Sequence, residues 1–209
     1  MACTPCGPGA LKEGVKVSII LGHPSPGSFN HAIATAAAEV LRARGAAVTL
    51  HDLYAERFDP VYTAAELPRD AVLPPEIERH CHEIGEADGV VIVHPNYWGR
   101  PPAMVCGWVD RVIRAGRAYR FVPDGKGGAR PEGLLKLKTA VVFTTANTPD
   151  DVDRALYGDP LELHWTKVVF GLCGVPCVRR SFSSVIISKP EQRAAWLAEV
   201  RRTVTEQLG

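Results

Sequence analysis

The sequence lacks an excess of either charge, since 24 Lys and Arg stand against 23 Asp and Glu for a formal net charge of +1. A protein that binds nucleic acid through counterion release needs a basic excess, so no nucleic-acid partner is expected. No run approaches the roughly 18 apolar residues of a membrane span, and the longest, 168–178, is interrupted by Gly and Pro. The first 14 residues lack the apolar core of a secretory signal. We therefore expect a cytoplasmic protein without a membrane span.

The cysteines do not form the pattern of a metal site or a disulfide framework. Two of them make a C-x-x-C within 1–14, a Gly- and Pro-rich stretch that is not beside a strand–helix–strand unit. A second close pair, at 173 and 177, has no matching pair of ligands elsewhere. We expect no metal, a flexible tail over 1–14 and reduced, mostly buried thiols. The cysteines are Cys3, Cys6, Cys81, Cys106, Cys173 and Cys177.

What the sequence does contain is a regular alternation of strand and helix patterns. With 46% hydrophobic and 22% charged residues it is typical of a globular protein, and residues 15–209 are predicted to form a single domain. Short β-branched runs predict strands at 17–21, 47–53, 89–94, 139–144 and 178–187. Helical periodicity predicts helices at 28–44, 75–86, 101–114, 160–172 and 191–208, and 116–133 is predicted to be a long loop.

Five strands separated by helices predict an α/β fold with a parallel sheet covered on both faces. Ligands of such sheets bind outside the carboxyl ends of the strands, at the point where the strand order reverses. The turns that follow 17–21, 89–94 and 139–144 are therefore the candidate ligand site.

The turn after the first strand, GHPSPGSFNH over 22–31, runs directly into a helix. Gly27, Ser28 and Asn30 supply close backbone approach, a hydroxyl and an amide at a helix N-terminus, where exposed N–H groups favour a phosphate. No Asp or Glu occurs from 23 to 38, so no carboxylate of this segment would repel a dianion. A loop capped by Ser28 without any ligand explains the same residues equally well. The dinucleotide fingerprint, the P-loop, the acidic receiver cluster and the hydrolase G-x-S-x-G are absent.

The other two turns carry different chemistry. The turn after the third strand, HPNYWGRPP over 94–102, holds Tyr97 and Trp98, which core packing explains poorly. A flat conjugated ligand would use their faces, and an aromatic plug or a subunit contact is the alternative. The turn after the fourth strand, TTANTP over 144–149, offers N–H groups and hydroxyls that suit an oxyanion or an anionic ring edge, although such clusters are commonly simple turns.

Together these turns resemble the flavodoxin-like NAD(P)H:quinone oxidoreductases, the family of DT-diaphorase, MdaB and KefF. The likeness extends from Val17 to about Val200 and rests on the order and spacing of several short pieces. Those pieces are His23 with 28–30, 52–54, Pro95 and Trp98 with the prolines at 101–102, 107–112, 118–119 and 144–145. The resemblance implies a flavodoxin-like, doubly wound sheet with the strand order 2-1-3-4-5.

The resemblance also implies a noncovalently bound flavin, FMN or FAD, that passes a hydride from NAD(P)H to a quinone or a similar two-electron acceptor. Its phosphate would lie at 23–30, its ring system along 95–98 and its pyrimidine edge at 144–147. A homodimer is implied as well, with the helix of Trp108 at the contact between subunits. The implied cofactor residues are His23, Ser28, Phe29, Asn30, Pro95, Asn96, Tyr97, Trp98, Thr144, Thr145, Ala146 and Asn147.

The sequence departs from the family pattern after the fourth strand. Well-known members have Thr-Thr-Gly-Gly there, followed by a tyrosine and a histidine that assist hydride transfer. This chain has Ala-Asn at 146–147, and its later Tyr157 and His164 stand at other spacings. We therefore predict that the backbone N–H groups of Thr145 and Asn147, rather than those two side chains, stabilise charge at the flavin.

A second departure concerns the substrate pocket. Gly99 stands where an aromatic residue often follows the tryptophan, which predicts a roomier pocket. The resemblance places Tyr119 and Phe121 at the same pocket, where each subunit would close the site of its partner.

Two alternative functions remain open. One is an ancillary, regulatory subunit of a cation/proton antiporter with secondary reductase activity. The other is an electron-carrying flavodoxin, although such carriers tend to be acidic and this chain has a net charge of +1.

Overall fold

A parallel sheet of five strands forms the centre of the structure, a computed structural model that describes residues 14–208. The strands are β1 (Lys16–Leu21), β2 (Ala47–Asp52), β3 (Gly89–Pro95), β6 (Thr139–Thr145) and β7 (Cys177–Phe182). β3 and β6 are buried along their whole length. Burial on both faces explains the apolar runs 90–93 and 140–143 at their centres, since a half-exposed strand would alternate apolar and polar residues. The predicted tail, with Cys3 and Cys6, lies outside the described residues apart from Gly14.

The strand order across the sheet is β2-β1-β3-β6-β7. It differs from the predicted 2-1-3-4-5 only because two further strands precede the last two sheet strands in the chain. Two further strands, β4 (Tyr119–Pro123) and β5 (Ala129–Gly133), form an antiparallel hairpin outside this sheet, within the segment predicted to be a long loop. Asp124 shapes the hairpin turn, because its Oδ1 accepts backbone hydrogen bonds from Lys126 at 2.7 Å and Gly128 at 2.9 Å. The hairpin residues are mostly exposed, so they lack the alternation that predicts a half-buried strand.

Helices cover both faces of the sheet, as predicted. One face is covered by α1 (Phe29–Ala43) and α7 (Pro190–Leu208). The other is covered by α2 (Pro75–Glu86), α3 (Ala103–Val112), α5 (Pro160–Leu163), a π-helical segment (His164–Val169) and α6 (Phe170–Leu172). The exposed helix α4 (Asp150–Tyr157) lies between β6 and α5 and was not predicted.

The last sheet strand ends earlier than predicted. β7 stops at Phe182, and Ser184 follows with φ 56°, a left-handed conformation that an extended strand does not contain. Val185–Ile187, predicted as strand, instead form a short 3-10 turn. This turn brings its residues beside the carboxyl end of β6.

Two apolar clusters hold the helices against the sheet. One contains Trp108, Trp165 and Phe170, and the other contains Phe143 and Phe182, whose rings stack with centroids 6.1 Å apart. Each fully buried side chain of this size contributes about 1.5–3 kcal/mol relative to an exposed one. Within residues 14–208, no helix combines the length and the apolar character needed to cross a membrane.

Candidate functional site

The carboxyl ends of β1, β3 and β6 lie side by side and bring the three predicted turns together. Asn30, in the first turn of α1, donates through Nδ2 to Oγ1 of Thr145 at 2.9 Å. The backbone N–H of Asn96 donates to the carbonyl of Thr145 at 2.7 Å. Thr145 therefore connects all three turns, and residues far apart in the chain form one site.

A cavity of about 390 Å³ opens between these turns, and we call it the turn cavity. All the predicted cofactor residues except Trp98 and Thr144 line it. Three further lining residues, Val185, Ile186 and Arg193, were not indicated by the sequence. Its lining is His23, Ser28, Phe29, Asn30, Pro95, Asn96, Tyr97, Thr145, Ala146, Asn147, Val185, Ile186 and Arg193.

The turn cavity is suited to an anion. Gly27 has φ 73°, and Ser28 caps α1 by accepting from the backbone N–H of His31. Ser28, Phe29 and Asn30 line the cavity, so the N-terminus of α1 borders it, and the partial positive charge there favours an anion. No Asp or Glu lines the cavity, and the guanidinium of Arg193 adds a full positive charge.

Arg193 lines the turn cavity although nothing in its local sequence indicates a site. It lies in the first turn of α7, and its Nε donates to Oγ of Ser188 at 2.8 Å. Its guanidinium carbon lies 5.8 Å from the ring centre of Phe29, so it also makes a cation–π contact. Only the packing of α7 against α1 brings this arginine to the turn after β1, so no local pattern could have indicated it.

The aromatic turn after β3 is tight and strained. Tyr97 and Arg100 exchange two backbone hydrogen bonds, of 3.0 and 3.2 Å, around Trp98 (φ 58°) and Gly99 (φ 73°). Two positive φ values define a type I′ turn, which glycine adopts freely and tryptophan adopts at a cost. Asn96 supports the turn by accepting from the N–H of Gly99 at 2.9 Å. The indole of Trp98 is thereby held 97% exposed.

A buried histidine anchors this turn from below. His94 Nδ1 lies 2.7 Å from the carbonyl oxygen of Pro95, and Nε2 accepts a hydrogen bond of 2.9 Å from Nε1 of Trp165. Burial lowers the pKa of His94 to about 4, so the ring is neutral at pH 7. Both ring nitrogens of His94 are thus used in hydrogen bonds within the protein. His94 holds the turn in place and has no lone pair left to bind a ligand.

A second cavity of about 480 Å³ adjoins the turn cavity, and we call it the outer cavity. The two share Asn96, Ala146 and Asn147. Its lining is Asn96, Trp98, Gly99, Ala146, Asn147, Thr148, Asp153, Tyr157 and Pro160. A Cβ atom at Gly99 would lie 2.9 Å from Cγ of Pro160, so Pro160 already occupies part of the space beside this glycine.

Tyr157 and His164 have different places. Tyr157 lines the outer cavity, whereas His164 lines neither cavity. The ring of His164 stands edge-on to Trp165 with centroids 4.8 Å apart. Burial lowers its pKa, as expected for a packed histidine.

The turn after β6 corrects the expectations for Thr144, Thr145 and Ala146. Thr144 does not line either cavity, and its Oγ1 accepts a hydrogen bond of 2.9 Å from Arg179, which is ion-paired with Asp159. The N–H of Ala146 donates to the carbonyl of Phe182 at 2.9 Å, so it belongs to the sheet and is not available to a ligand. The N–H of Thr145 is likewise used by the sheet, because Thr145 pairs with Pro95 in the parallel ladder of β3 and β6. Strand pairing therefore continues through Ala146, two residues beyond the predicted end of the strand at 144, and among the N–H groups predicted to stabilise charge only that of Asn147 remains.

Tyr119 and Phe121, predicted at the substrate pocket, lie on β4 and line neither cavity of the single chain. Their rings stand edge-on at 5.8 Å, and Phe121 is 53% exposed. Trp108 is buried in the core and donates through Nε1 to Nδ1 of His80 at 3.3 Å. A direct contact of Trp108 with a second subunit is therefore excluded.

Within residues 14–208, one group of side chains has the spacing of a metal site, namely His51, Glu56 and His80. His51 places Nδ1 2.9 Å from Glu56 and Nε2 2.5 Å from Glu83, so carboxylates occupy both ring nitrogens. The N–H of Trp108 points at Nδ1 of His80, which leaves the proton of the neutral ring on Nε2, the atom that would bind a metal. These contacts describe an ion-paired cluster, and we assign no metal to it.

Comparison with known proteins identifies the family. A family model of the flavodoxin-like fold matches residues 15–208. The chain belongs to this flavodoxin-like family. Ribosyldihydronicotinamide dehydrogenase (quinone) of Rattus norvegicus is 31% identical over 209 residues, which cover 88% of each chain. The FMN-dependent NADH:quinone oxidoreductase of Rhizobium meliloti strain 1021 is 29% identical over 171 residues, covering 77% of this chain and 80% of that protein.

A solved structure agrees with this assignment. Smu.1420 from Streptococcus mutans UA159 matches with a TM-score of 0.79 and 28% identity, over 92% of this chain and 100% of that chain. These matches confirm the resemblance inferred from the turns. In this flavodoxin-like sheet the chain passes from β1 outward to β2 and then to β3 on the other side of β1, so the order reverses beside β1. The turn cavity lies at that switch point, where ligands of doubly wound sheets bind.

Proposed function

We propose that this protein is a flavin-dependent NAD(P)H oxidoreductase that reduces quinones or similar two-electron acceptors. The observation that carries the proposal is the pairing of two adjoining cavities. The turn cavity has a helix N-terminus, an arginine and no carboxylate, whereas the outer cavity is bordered by exposed aromatic rings. The quinone-reducing activity in the names of the relatives supports the same assignment.

The donor set of the turn cavity fits a flavin in its three parts. The phosphate would lie at the N-terminus of α1, held by Ser28, Asn30 and Arg193. The ring system would lie along 95–97, and its pyrimidine edge would meet Thr145 and Asn147. The residues fit FMN directly, and FAD would extend the same phosphate contacts.

A bound flavin would supply the hydride chemistry, taking a hydride from the nicotinamide and giving it to the acceptor. The chain supplies orientation and fixed dipoles. Asn147 holds its turn through Oδ1, which accepts from the N–H of Ile186 at 3.1 Å. The N–H of Asn147 would face the edge where negative charge develops, and a preorganised donor there lowers the barrier. Trp98 and Tyr157 would form the walls against which flat substrates stack.

Nicotinamide and acceptor would use the outer cavity in turn, because it is the space next to the proposed ring site. One shared space for two flat substrates implies ping-pong kinetics. Gly99 and Pro160 form the wall that sets the size of this space.

The protein is further proposed to be a cytoplasmic homodimer whose single flavin-binding domain spans 15–209. The exposed rings of Trp98 and Phe121 support an interface near the site. Tyr119 and Phe121, remote from the cavities of their own chain, would then close the cavity of the partner. Among the described residues Cys81, Cys106, Cys173 and Cys177 are free thiols, which supports a reducing compartment.

The test is identification of the flavin together with steady-state kinetics. The purified protein is heated, and the released flavin is identified by mass. Rates are then measured with NADH or NADPH and a water-soluble quinone at several concentrations of each. Parallel double-reciprocal lines are expected. Stoichiometric reduction without turnover would favour the electron-carrying flavodoxin, and absence of flavin would contradict the proposal.

A further inference from the structure

A continuous chain of hydrogen bonds lies behind the anion end of the turn cavity. Oγ of Ser28, which lines the cavity, is 2.8 Å from Nδ1 of His31. Nε2 of the same ring is 3.0 Å from Oδ2 of Asp52, at the end of β2. His31 therefore joins a hydroxyl in the cavity to a carboxylate outside it, and neither His31 nor Asp52 lines the cavity.

Asp52 decides which nitrogen of His31 carries a proton. Its Oδ1 accepts backbone hydrogen bonds from Tyr54 and Ala55, each at 3.2 Å, as an ionised carboxylate does. A carboxylate only accepts, so the atom that faces Oδ2, Nε2 of His31, must be the donor. Nδ1 is therefore the ring nitrogen at which His31 gains or loses a proton.

The state of Nδ1 in turn decides what Ser28 can offer to a ligand. When His31 is neutral, Nδ1 is an acceptor and takes the single hydroxyl proton of Ser28. When His31 is protonated, Nδ1–H donates to Oγ, and the hydroxyl proton is released towards the cavity. The N–H of His31 already donates to the same oxygen at 3.4 Å, so Ser28 has no other proton to give. An anion gains a donor at Ser28 only after His31 has become charged.

We propose that His31 is the proton-linked positioning residue of the phosphate site, so that binding of a flavin phosphate takes up a proton at Nδ1. This inference rests on the function proposed above. Uptake turns the Ser28 hydroxyl towards the phosphate and places an imidazolium behind it.

The charges around His31 are consistent with this coupling. His23, from the turn after β1, presents its ring edge-on with the centroids 6.1 Å apart, and burial lowers its pKa, so His23 stays neutral. Asp52, from β2, is the carboxylate that faces the ring. Helix α1 itself carries no acid before Glu39. A phosphate would therefore add the negative charge that a second proton on His31 balances.

The test is calorimetric titration of the flavin-free protein with FMN at pH 8, in two buffers of different ionisation enthalpy. The second pKa of a phosphate monoester is about 6, so FMN is already a dianion and contributes no proton change of its own. We expect uptake of between a few tenths of a proton and one proton per FMN. From pH 7 to pH 9 the affinity should fall by up to tenfold per unit, the limit for one linked proton. Riboflavin, which has no phosphate, should bind with no uptake.

His31→Gln should bind FMN without proton uptake, and His82→Gln, which removes an exposed histidine of α2, should keep the uptake of the wild type. FAD is titrated in parallel, and the same proton uptake is expected for it. If FMN or FAD binds without uptake, or if His31→Gln keeps it, the role of His31 is refuted while the flavin site stands. If neither flavin binds, the proposed function fails with it. The wild-type result decides even if a variant does not fold.

Discussion

The side-chain amide of Asn30 donates a 2.9 Å hydrogen bond to the hydroxyl of Thr145, and this contact joins the first turn of α1 to the end of β6. The two residues are 115 positions apart in the chain. Asn30 is 3% exposed and Thr145 is 5% exposed, so the contact is shielded from water. It joins the turn over 22–31, the proposed phosphate site, to the turn over 144–149 at the proposed pyrimidine edge.

Asn30→Asp is expected to weaken flavin binding. The variant loses the N–H donors that face Thr145 and places a carboxylate beside the phosphate, a repulsion of about 1–3 kcal/mol in a partly buried site. Flavin retention through gel filtration measures the effect. Thr35→Asp adds the same charge on an exposed position of α1 and should retain flavin as the wild type does. Equal retention in Asn30→Asp would argue against this turn as the phosphate site.

Arg193→Gln is expected to reduce flavin affinity roughly tenfold, because a charge-assisted hydrogen bond contributes about 1.5–3 kcal/mol and this one is exposed to solvent. The loss should shrink as salt is raised, since salt already screens the wild-type contact. Titration of the flavin-free protein at low and high salt gives both values. Arg201→Gln, an exposed arginine of α7 that pairs with Glu39, is the matched control. Similar losses in both variants would indicate a general charge effect.

Tyr157→Phe and His164→Gln are expected to keep flavin reduction by NAD(P)H within a few-fold of the wild-type rate. His164 packs away from both cavities, and the proposed stabilisation of charge comes from the backbone near Asn147. Rapid mixing under single-turnover conditions measures the rate. Loss of one transition-state interaction costs on the order of a hundredfold. A loss of that size in Tyr157→Phe, which lines the outer cavity, would assign the tyrosine hydroxyl a catalytic part.

Glu66→Gln is expected to destabilise the fold and to flatten its acid denaturation. Glu66 is 2% exposed and accepts from Nε and Nη2 of Arg111 at 2.9 and 3.0 Å. Burial raises the pKa of this carboxyl, but the hydrogen bonds from Arg111 and Thr63 outweigh it and hold the pKa below its usual value. The pKa of Glu66 is lower in the folded protein than in the unfolded one. Its ionised form therefore stabilises the fold at pH values above the pKa of an ordinary glutamate, and this stabilisation is lost as the pH falls through the folded pKa.

Urea denaturation of both proteins between pH 7 and pH 3 measures this difference. Breaking a buried pair costs about 3–5 kcal/mol at neutral pH. His80 and His94 are buried, neutral and present in both proteins, so their protonation affects both curves alike. Glu78→Gln, which breaks the exposed pair with Arg117, should cost less than about 1 kcal/mol. A Glu66→Gln curve parallel to that of the wild type would contradict the assignment.

A homodimer is expected in solution at micromolar concentration. The exposed rings of Trp98 and Phe121 are the apolar surface next to the site that a partner would cover. Light scattering should give twice the chain mass of 22.6 kDa. Phe121→Ser should shift the equilibrium towards the monomer. A monomeric wild type would remove the basis for placing Tyr119 and Phe121 in a partner's cavity.

Local sequence determined the sheet, the covering helices and the chemistry of the three turns. A strand such as β3 is recognisable because burial on both faces demands an unbroken apolar run. The start of α1 is recognisable because Gly27 and Ser28 satisfy a positive φ and a cap within a few residues. The order and spacing of those turns also sufficed to indicate the family.

The tertiary structure alone decided which polar groups meet. Arg193 reaches the turn cavity through the packing of α7, Arg179 takes the hydroxyl of Thr144, and the amide of Ala146 joins the sheet. The sequence likewise did not indicate the hairpin of β4 and β5 or the burial of Trp108. The physical reason is that periodicity and capping depend on a few neighbouring residues. The partner of a side chain, or of an N–H at a strand end, depends on segments that only the folded chain brings within hydrogen-bonding distance.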